Sequence, residues 1–450
     1  MQHSNNSRHI GIAGAGLVGS LLAVFLLRRG YQVSLFDRRK DFRKTGGYQG
    51  KSINMALSNR GLRALKAVDL EQAINDLAIP MHGRAVHNED GREIFLPYGK
   101  KGQFINSISR NVLNARLLDA AEKAGAKIYF KSSITSVNLQ DTSFVVIDDS
   151  GMRSTYNVDQ LIGADGAHSA VRSAFLNTND FHFSESYIEH GYKELHIPPD
   201  QNNQFQLEPH ALHIWPRESF MLIALPNPDA SFTCTLFYPH TGPHSFESLN
   251  DSSAIQQFFE KYFPDVIIRI PSLLKDFTNN PIGKLVTVHT SPWVHNNTLL
   301  IGDAAHAIVP FYGQGMNAGF EDCLILDQLL DKHDEDWRTA SNEFQQIRKP
   351  DTDAIAELAL DNFIEMRDLV RNEKFILQKK IEGKIHEHFP DLWKPLYTMV
   401  TFEESMSYAQ ARQLGKKQQK IMEEVLGQPD IGTNWTSLDF RSIAEKLHQI

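Results

Sequence analysis

Ile10-Gly11-Ile12-Ala13-Gly14-Ala15-Gly16-Leu17-Val18-Gly19-Ser20 is the stretch that decides the fold. A short apolar run leads into Gly-x-Gly-x-x-Gly, and the apolar run Leu21 to Leu27 follows. That order predicts strand, tight turn, helix. Gly14 permits the turn, Gly16 lacks the Cβ that would hold backbone away from a pyrophosphate, and Gly19 lets the helix pack on the strand. The helix N-terminus adds free N–H groups and the positive end of a dipole. A second strand, Gln32-Val33-Ser34-Leu35-Phe36, ends in Asp37. An acidic residue roughly 20 residues beyond the glycines suits a ribose hydroxyl. A helix–sheet turn without a ligand would also carry three glycines; strand, helix, strand and acid together favour a dinucleotide.

Composition bounds the rest. At 450 residues the chain exceeds one small core, and two or three domains are expected. Hydrophobic content of 41% and charged content of 22% are those of a globular protein in water. A net charge of -8 gives no overall pull toward nucleic acid or an anionic membrane. The two cysteines, Cys234 and Cys323, lie far apart in no metal-ligand spacing, which suggests a reducing compartment. Met1 to His9 lacks the apolar core of a signal peptide. No run approaches the ~18 apolar residues of a spanning helix, so the cytoplasm is the simplest location.

Along the chain, residues 8–40 form a first β-α-β unit. Gly46 to Arg60 is expected to be a loop opening a helix at Ser58. Met81 to Phe104 reads as a hairpin turning at Asn88-Glu89-Asp90-Gly91. A helix is expected from Ser109 to Ala124, with Leu113, Leu117, Leu118 and Ala121 on one face, then a strand Lys127–Phe130. From Tyr187 to about Thr287 short alternating strands predict a mostly antiparallel sheet. From Asp322 onward the pattern is chiefly helical, and Lys349-Pro350 is expected to start a helix, with proline in its first turn.

Two further glycine-rich turns follow predicted strands. One is Gly163-Ala164-Asp165-Gly166-Ala167-His168-Ser169-Ala170-Val171-Arg172. The other is Gly302-Asp303-Ala304-Ala305-His306, continuing to Pro310-Phe311-Tyr312-Gly313-Gln314-Gly315-Met316-Asn317-Ala318-Gly319. Either alone could be an ordinary strand-to-turn transition. In this order the three turns resemble the FAD-dependent class A aromatic hydroxylases over roughly residues 8–345. In that family the first loop holds the pyrophosphate, the Asp-Gly turn lies near flavin and nicotinamide, and the Gly-Asp turn sets its carboxylate on the ribityl chain. Gly313 to Gly319 should open a helix whose N-terminus faces the flavin ring. A helix N-terminus stabilises negative charge, which reduced flavin carries at its pyrimidine edge.

Further stretches narrow the resemblance. Gly50-Lys51-Ser52-Ile53-Asn54-Met55-Ala56-Leu57-Ser58, Gly191-Tyr192-Lys193-Glu194-Leu195, Leu212-His213-Ile214-Trp215-Pro216-Arg217, Phe232 to Phe237, Asp303 to Phe311, Gly313 to Cys323 and Pro395-Leu396-Tyr397-Thr398-Met399-Val400-Thr401-Phe402 look like the kynurenine 3-monooxygenases. The resemblance implies FAD held by Gly14, Gly16, Val18 and Gly19, by Asp37, Arg38, Arg39 and Lys40, by Ala56, Arg110 and Ile134, by Asp165, and by Asp303, Gly315, Met316 and Asn317. It implies an L-kynurenine site in which Arg84 meets the amino-acid carboxylate and Tyr98 and Tyr397 bond and pack beside it. Asn362 and Glu365 would share a helix face at the polar end, and Phe237, Phe311 and Tyr312 would frame the aniline ring. From the residues alone, Asn362 and Glu365 are three apart and suit one face or a solvated pair, Arg84 suits a fork for a carboxylate or a surface salt bridge, and Tyr98 and Tyr397 suit amphipathic core positions. The resemblance implies that His306 belongs to the flavin fold rather than the chemistry.

The implied architecture is an α/β, Rossmann-like FAD-binding domain with an inserted antiparallel β-sheet substrate domain and a C-terminal helical region. FAD-binding segments are expected at 1–80, 106–186 and 289–345, a substrate-sheet hairpin at 81–105, the substrate sheet at 187–288 and the helical region at 346–450. The implied reaction uses NADPH and O2 to form 3-hydroxy-L-kynurenine through a flavin C4a-hydroperoxide, in tryptophan catabolism toward NAD synthesis. The ring amino group activates the ortho carbon, so no protein nucleophile, catalytic base or metal is expected. Only one full dinucleotide fingerprint is present, so NADPH should bind transiently. Eukaryotic relatives carry a hydrophobic C-terminal anchor; the charged stretch Ser437 to His448 points instead to a soluble, bacterial-type member, monomer or homodimer, without a membrane span. Rival readings are a class A hydroxylase of another aromatic acid and a non-catalytic flavin sensor.

Overall fold

Three of the predicted glycine turns leave three neighbouring strands of one sheet. In the computed structural model, which describes residues 8–44, 54–100, 102–369 and 372–448, the sheet order is Val294–His295, Thr298–Leu300, Gln160–Gly163, His9–Ala13, Gln32–Asp37, Lys127–Phe130. All pairings are parallel except that of the edge strand Val294–His295. Parallel strands buried on both faces are continuous apolar runs, and Ile10, Ile12, Leu35, Leu161, Ile162, Leu299 and Leu300 are fully buried. The helix Leu17–Arg28 buries Leu21, Leu22, Ala23 and Leu26 in the same core, each larger side chain contributing roughly 1.5–3 kcal/mol.

A second sheet has the order Gly283–Ser291, His182–Ile197, Phe232–Pro239, Phe220–Pro226, Ala211–Arg217, Gly83–His87, Glu93–Pro97. Its strands pair antiparallel, except that Gly83–His87 joins Ala211–Arg217 in parallel. The hairpin 83–97 thus extends the sheet formed by the later chain. One face of this sheet packs on Phe258, Phe259 and Phe263; the other, with Ile214, Met221 and Phe237, meets the C-terminal helices.

Two expectations fail locally. Asn54–Leu57, expected in a loop, is a strand paired with Ile105–Ser109, and Asn54 Nδ2 ties it to Pro226 O at 3.0 Å. The preceding part of that loop, 46–53, lies outside the described residues. Pro350 does not start a helix; it sits inside the continuous helix Trp337–Ile364. Proline costs one backbone bond and crowds the preceding turn, and its neighbours hold the turn together. Arg348 pairs with Asp322 at 2.7 Å and Asp351 at 3.2 Å, and Lys349 with Asp353 at 2.6 Å.

Candidate active site

The three turns converge. A Cβ on Gly14, whose φ is +95°, would stand 2.5 Å from Ala164 O and 2.9 Å from Asp165 Cα, so the first turn rests on the second. Val18 lies between Gly302 and Gly319, where added Cβ atoms would meet its Cγ2 at 3.1 and 2.5 Å, so the first helix rests on the third turn. Gly16 differs from both, since a Cβ there would meet nothing within 4 Å. Gly14 is therefore glycine for the protein's own packing, whereas at Gly16 the surface is open. The helices Leu17–Arg28 and Gly315–Lys332 begin without a side-chain cap, leaving first-turn N–H groups free to meet an anion.

Asp37 is buried, accepting from Ala15 N at 2.9 Å and from the Arg39 backbone and guanidinium at 2.7–2.9 Å. Although burial alone would raise it, Arg39 and the two backbone N–H groups hold the Asp37 carboxyl below the usual range. Both of its oxygens brace the loop. Arg38 and Lys40 are exposed beside it, and Lys131 N bonds Arg39 O at 2.9 Å, joining this corner to the strand that carries half-buried Ile134. Asp165 accepts from Ala170 N at 2.7 Å and Val171 N at 3.3 Å, capping the helix Ala170–Phe175.

Asp303 is exposed at the surface yet crowded by surrounding chain, and desolvation pushes its carboxyl up against the opposing pull of Arg110. Asn317 is fully buried and acts as a clamp: Nδ2 donates to Ala56 O and Gly313 O, both at 2.8 Å, and Oδ1 accepts from Ser58 N at 2.9 Å. Met316 is buried beside it in the nucleotide-side core.

The aromatic residues begin where this cradle ends. Tyr312 precedes Gly313, and its ring stacks on Tyr397 at 5.6 Å; Tyr397 stacks on Tyr98 at 5.2 Å. The Arg84 guanidinium lies over Tyr397 at 5.0 Å and Tyr98 at 5.7 Å. Arg84 Nε and Tyr98 Oη are buried without a hydrogen-bond partner. Burial opposes the charge of Arg84, yet the surrounding tyrosines and Glu365 hold its pKa above the ordinary value. Buried donors without partners are costly, and these two lie in one cluster with Tyr397. Phe237 and Phe311 lie 4.9 Å apart and extend the wall.

Asn362 and Glu365, three apart at the end of the helix Trp337–Ile364, take different partners. Asn362 is buried, and its Nδ2 donates to Phe311 O at 2.6 Å, fixing the aromatic turn. The α-helix ends at Ile364, and Glu365 opens a π-turn, Glu365–Leu369, pairing with Lys379 at 3.7 Å. The widening of a π-turn begins only beyond this point: Glu365 has αR backbone and its N–H bonds Asp361 O and Asn362 O, so the two residues keep α-helical spacing. All eight expected substrate residues nonetheless come from five separate segments to one neighbourhood.

The stretch 8–342 matches the family model described as an FAD binding domain. The chain is 47% identical over 433 residues to a kynurenine 3-monooxygenase of Flavobacterium johnsoniae, covering 96% of both chains. It is 46% identical over 447 residues to that of Flavobacterium psychrophilum, covering 99% of this chain and 98% of the relative. The chain belongs to the kynurenine 3-monooxygenase family. The pig member, from Sus scrofa, is 44% identical over 421 residues, covering 93% of this chain and 88% of its own. Among solved structures, the tetrameric form of 2-methyl-3-hydroxypyridine-5-carboxylic acid oxygenase is similar with a TM-score of 0.67 at 19% identity, covering 79% of this chain and 91% of its own. Pseudomonas aeruginosa PqsL in complex with 2-aminobenzoylacetate gives 0.64 at 19%, covering 81% and 97%. These two likenesses speak to the fold.

For this family member, residue-by-residue reading missed two features. Phe363, buried with its ring 4.2 Å from Phe311, extends the aromatic wall; it continues the stripe Ile355, Leu358, Ala359. A buried charge network also runs behind the third turn. Arg60 pairs with Glu321 at 2.9 Å, Arg348 with Glu321 at 2.8 Å and Asp322 at 2.7 Å, and His306 Nε2 lies 2.6 Å from Asp322. Arg60 also donates to Val400 O at 2.7 Å. The network thus ties the Gly302 turn to the segment bearing Tyr397, and His306 serves it structurally. Sequence spacing carries no signal for it, because Arg60 and Arg348 lie 288 residues apart.

Proposed function

We infer that this protein is an FAD-dependent monooxygenase that hydroxylates L-kynurenine to 3-hydroxy-L-kynurenine with NADPH and O2. The observation that carries the reading is the Arg84 guanidinium, set among Tyr98, Tyr397 and Tyr312, one residue from the glycine turn that opens the Asn317 helix. An aromatic amino acid needs a cation for its carboxylate and flat walls for its ring, and both stand beside the flavin signature. The cradle fits FAD: the open surface at Gly16 and the N-terminus of Leu17–Arg28 suit its pyrophosphate, Asp303 its ribityl chain, and Met316, Asn317 and Ala56 its ring. FAD supplies an electrophilic oxygen atom derived from O2 once NADPH has reduced it. The chain's own part is to bind, orient and enclose. Arg84 takes the carboxylate, Tyr98 and Tyr397 offer hydroxyls, and Glu365 attracts the ammonium. Phe237, Phe311 and Tyr312 exclude water and hold the ring carbon beside the amino-bearing carbon toward the flavin.

The test is product identification by mass after holoenzyme is incubated with NADPH, O2 and a panel of L-kynurenine, anthranilate and 4-hydroxybenzoate. The expected result is a gain of one oxygen atom on kynurenine alone, at ring position 3. Oxygenation of another panel member in its place would overturn the substrate assignment. No helix among the described residues is long and apolar enough to cross a membrane. Cys234 and Cys323 are buried free thiols, the state a reducing compartment maintains, which supports a cytoplasmic location.

A further inference from the structure

Four charges of alternating sign run from the pocket to the helix Glu373–His388. Arg84 stands at the inner end. Glu365 follows, then Lys379, 3.7 Å from Glu365, then Glu382, 3.5 Å from Lys379. Glu382 is fixed in turn, accepting from Gln378 Nε2 at 2.8 Å. Lys379 is partly exposed; desolvation opposes its charge, both glutamates raise its pKa and Arg84 lowers it. The ammonium therefore lies within electrostatic reach of the guanidinium, although it is held by different residues.

Glu365 stands between two cations, and the structure shows which one it pairs with. Among the described residues, no carboxylate lies within 4 Å of Arg84, whereas Glu365 makes its ion pair with Lys379. A carboxylate close to a buried guanidinium in a low-dielectric site would ordinarily pair with it. Such a pair would occupy the fork on which a substrate carboxylate depends. We propose that Lys379 is a positioning residue for specificity: it holds Glu365 off Arg84 and so keeps the guanidinium open to the substrate's carboxylate. Substrate is then read at two points, its carboxylate by Arg84 and its ammonium by Glu365. Lys379 touches neither.

This inference rests on the kynurenine-site reading, and its test separates the two. The probe is the desamino analogue 4-(2-aminophenyl)-4-oxobutanoate, which has the carboxylate and ring but no ammonium for Glu365. Binding is followed by the change in flavin absorbance of the holoenzyme, so turnover is not needed. Lys379→Met should weaken this analogue by about fivefold, as one partly exposed charge pair would. For L-kynurenine it should raise KM with little change in kcat. Lys379→Arg should restore binding. The deciding variant is Lys379→Met combined with Glu365→Gln, which leaves no carboxylate to close on Arg84 and should recover wild-type affinity for the analogue. If the double variant stays as weak as Lys379→Met, or if Lys379→Met binds as well as wild type, the inference fails. If wild-type holoenzyme binds neither kynurenine nor the analogue, the substrate reading itself fails.

Discussion

The nucleotide cradle and the aromatic pocket meet at Gly313, but they are built in opposite ways. The cradle is backbone and small residues: three turns on adjacent parallel strands, the first seated on the second by backbone and on the third through Val18 against Gly302 and Gly319. The pocket is side chains: a guanidinium and three stacked tyrosines, brought from the second sheet, the Pro310–Tyr312 turn and the Leu396–Thr401 helix. A backbone device must be local, because a turn and its helix are contiguous. A side-chain device can draw on distant chain, provided the fold returns it. The consequence is energetic as well: damage to the cradle should cost stability and cofactor together, whereas damage to the pocket should cost substrate and spare both.

That contrast can be broken in order of expected effect. Arg348→Met removes the buried cation shared by Glu321, Asp322 and Asp351, and breaking such a network by one partner costs about 3–5 kcal/mol. Thermal unfolding of the variant should show the loss, and a near-wild-type Tm would mean the network does not bind the two regions together. The same network sets an acid limit. Burial opposes it, but His306 and Arg348 draw the Asp322 carboxyl down to about 2. A depressed folded pKa contributes stability that is full above the unfolded carboxylate value and is lost as pH falls through about 2. Acid titration of intrinsic fluorescence should place this contribution to unfolding below pH ~4; its loss near neutrality would contradict the assignment.

Gly14→Val comes next. It sets a branched side chain at φ +95°, 2.5 Å from Ala164 O, and the strain should cost about 1–3 kcal/mol before the clash is counted. The expected preparation is colourless and of lower Tm; retained flavin absorbance would break the claim that the first turn is seated on the second. The smallest effect belongs to the pocket. Tyr98→Phe removes a buried hydroxyl with no partner in the protein. Its loss should leave Tm unchanged or raise it, while KM for kynurenine rises about 2- to 12-fold, the worth of one hydrogen bond. A fall in Tm with unchanged KM would assign the hydroxyl to folding.

Legibility in the sequence followed the same division. Gly14, Gly163 and Gly302 could be placed because strand, glycine and helix are read from neighbouring residues. Arg84 and Tyr397 are 313 residues apart, and nothing local marks either; resemblance to a family, not periodicity, brought them together. The errors have physical causes. Pro350 was expected to start a helix because proline has no N–H, yet Arg348 and Asp351, anchored in the buried network, carry the helix through it. Asn362 and Glu365 keep the helical spacing read for them, but the π-turn that begins at Glu365 is a change of pitch that residue type did not announce. Asn54–Leu57 became a strand through the partner Ile105–Ser109, supplied by the fold.

The most direct test of the join between cradle and pocket is a titration of yellow holoenzyme with L-kynurenine, following the flavin absorbance, in wild type and in Arg84→Met. The account predicts a saturable spectral change in wild type, and an Arg84→Met protein that keeps its full complement of FAD but needs roughly 10- to 150-fold more kynurenine, the worth of a hydrogen bond to a charged group. If Arg84→Met titrates like wild type, Arg84 does not face the ligand that the flavin senses, and the shared site is wrong.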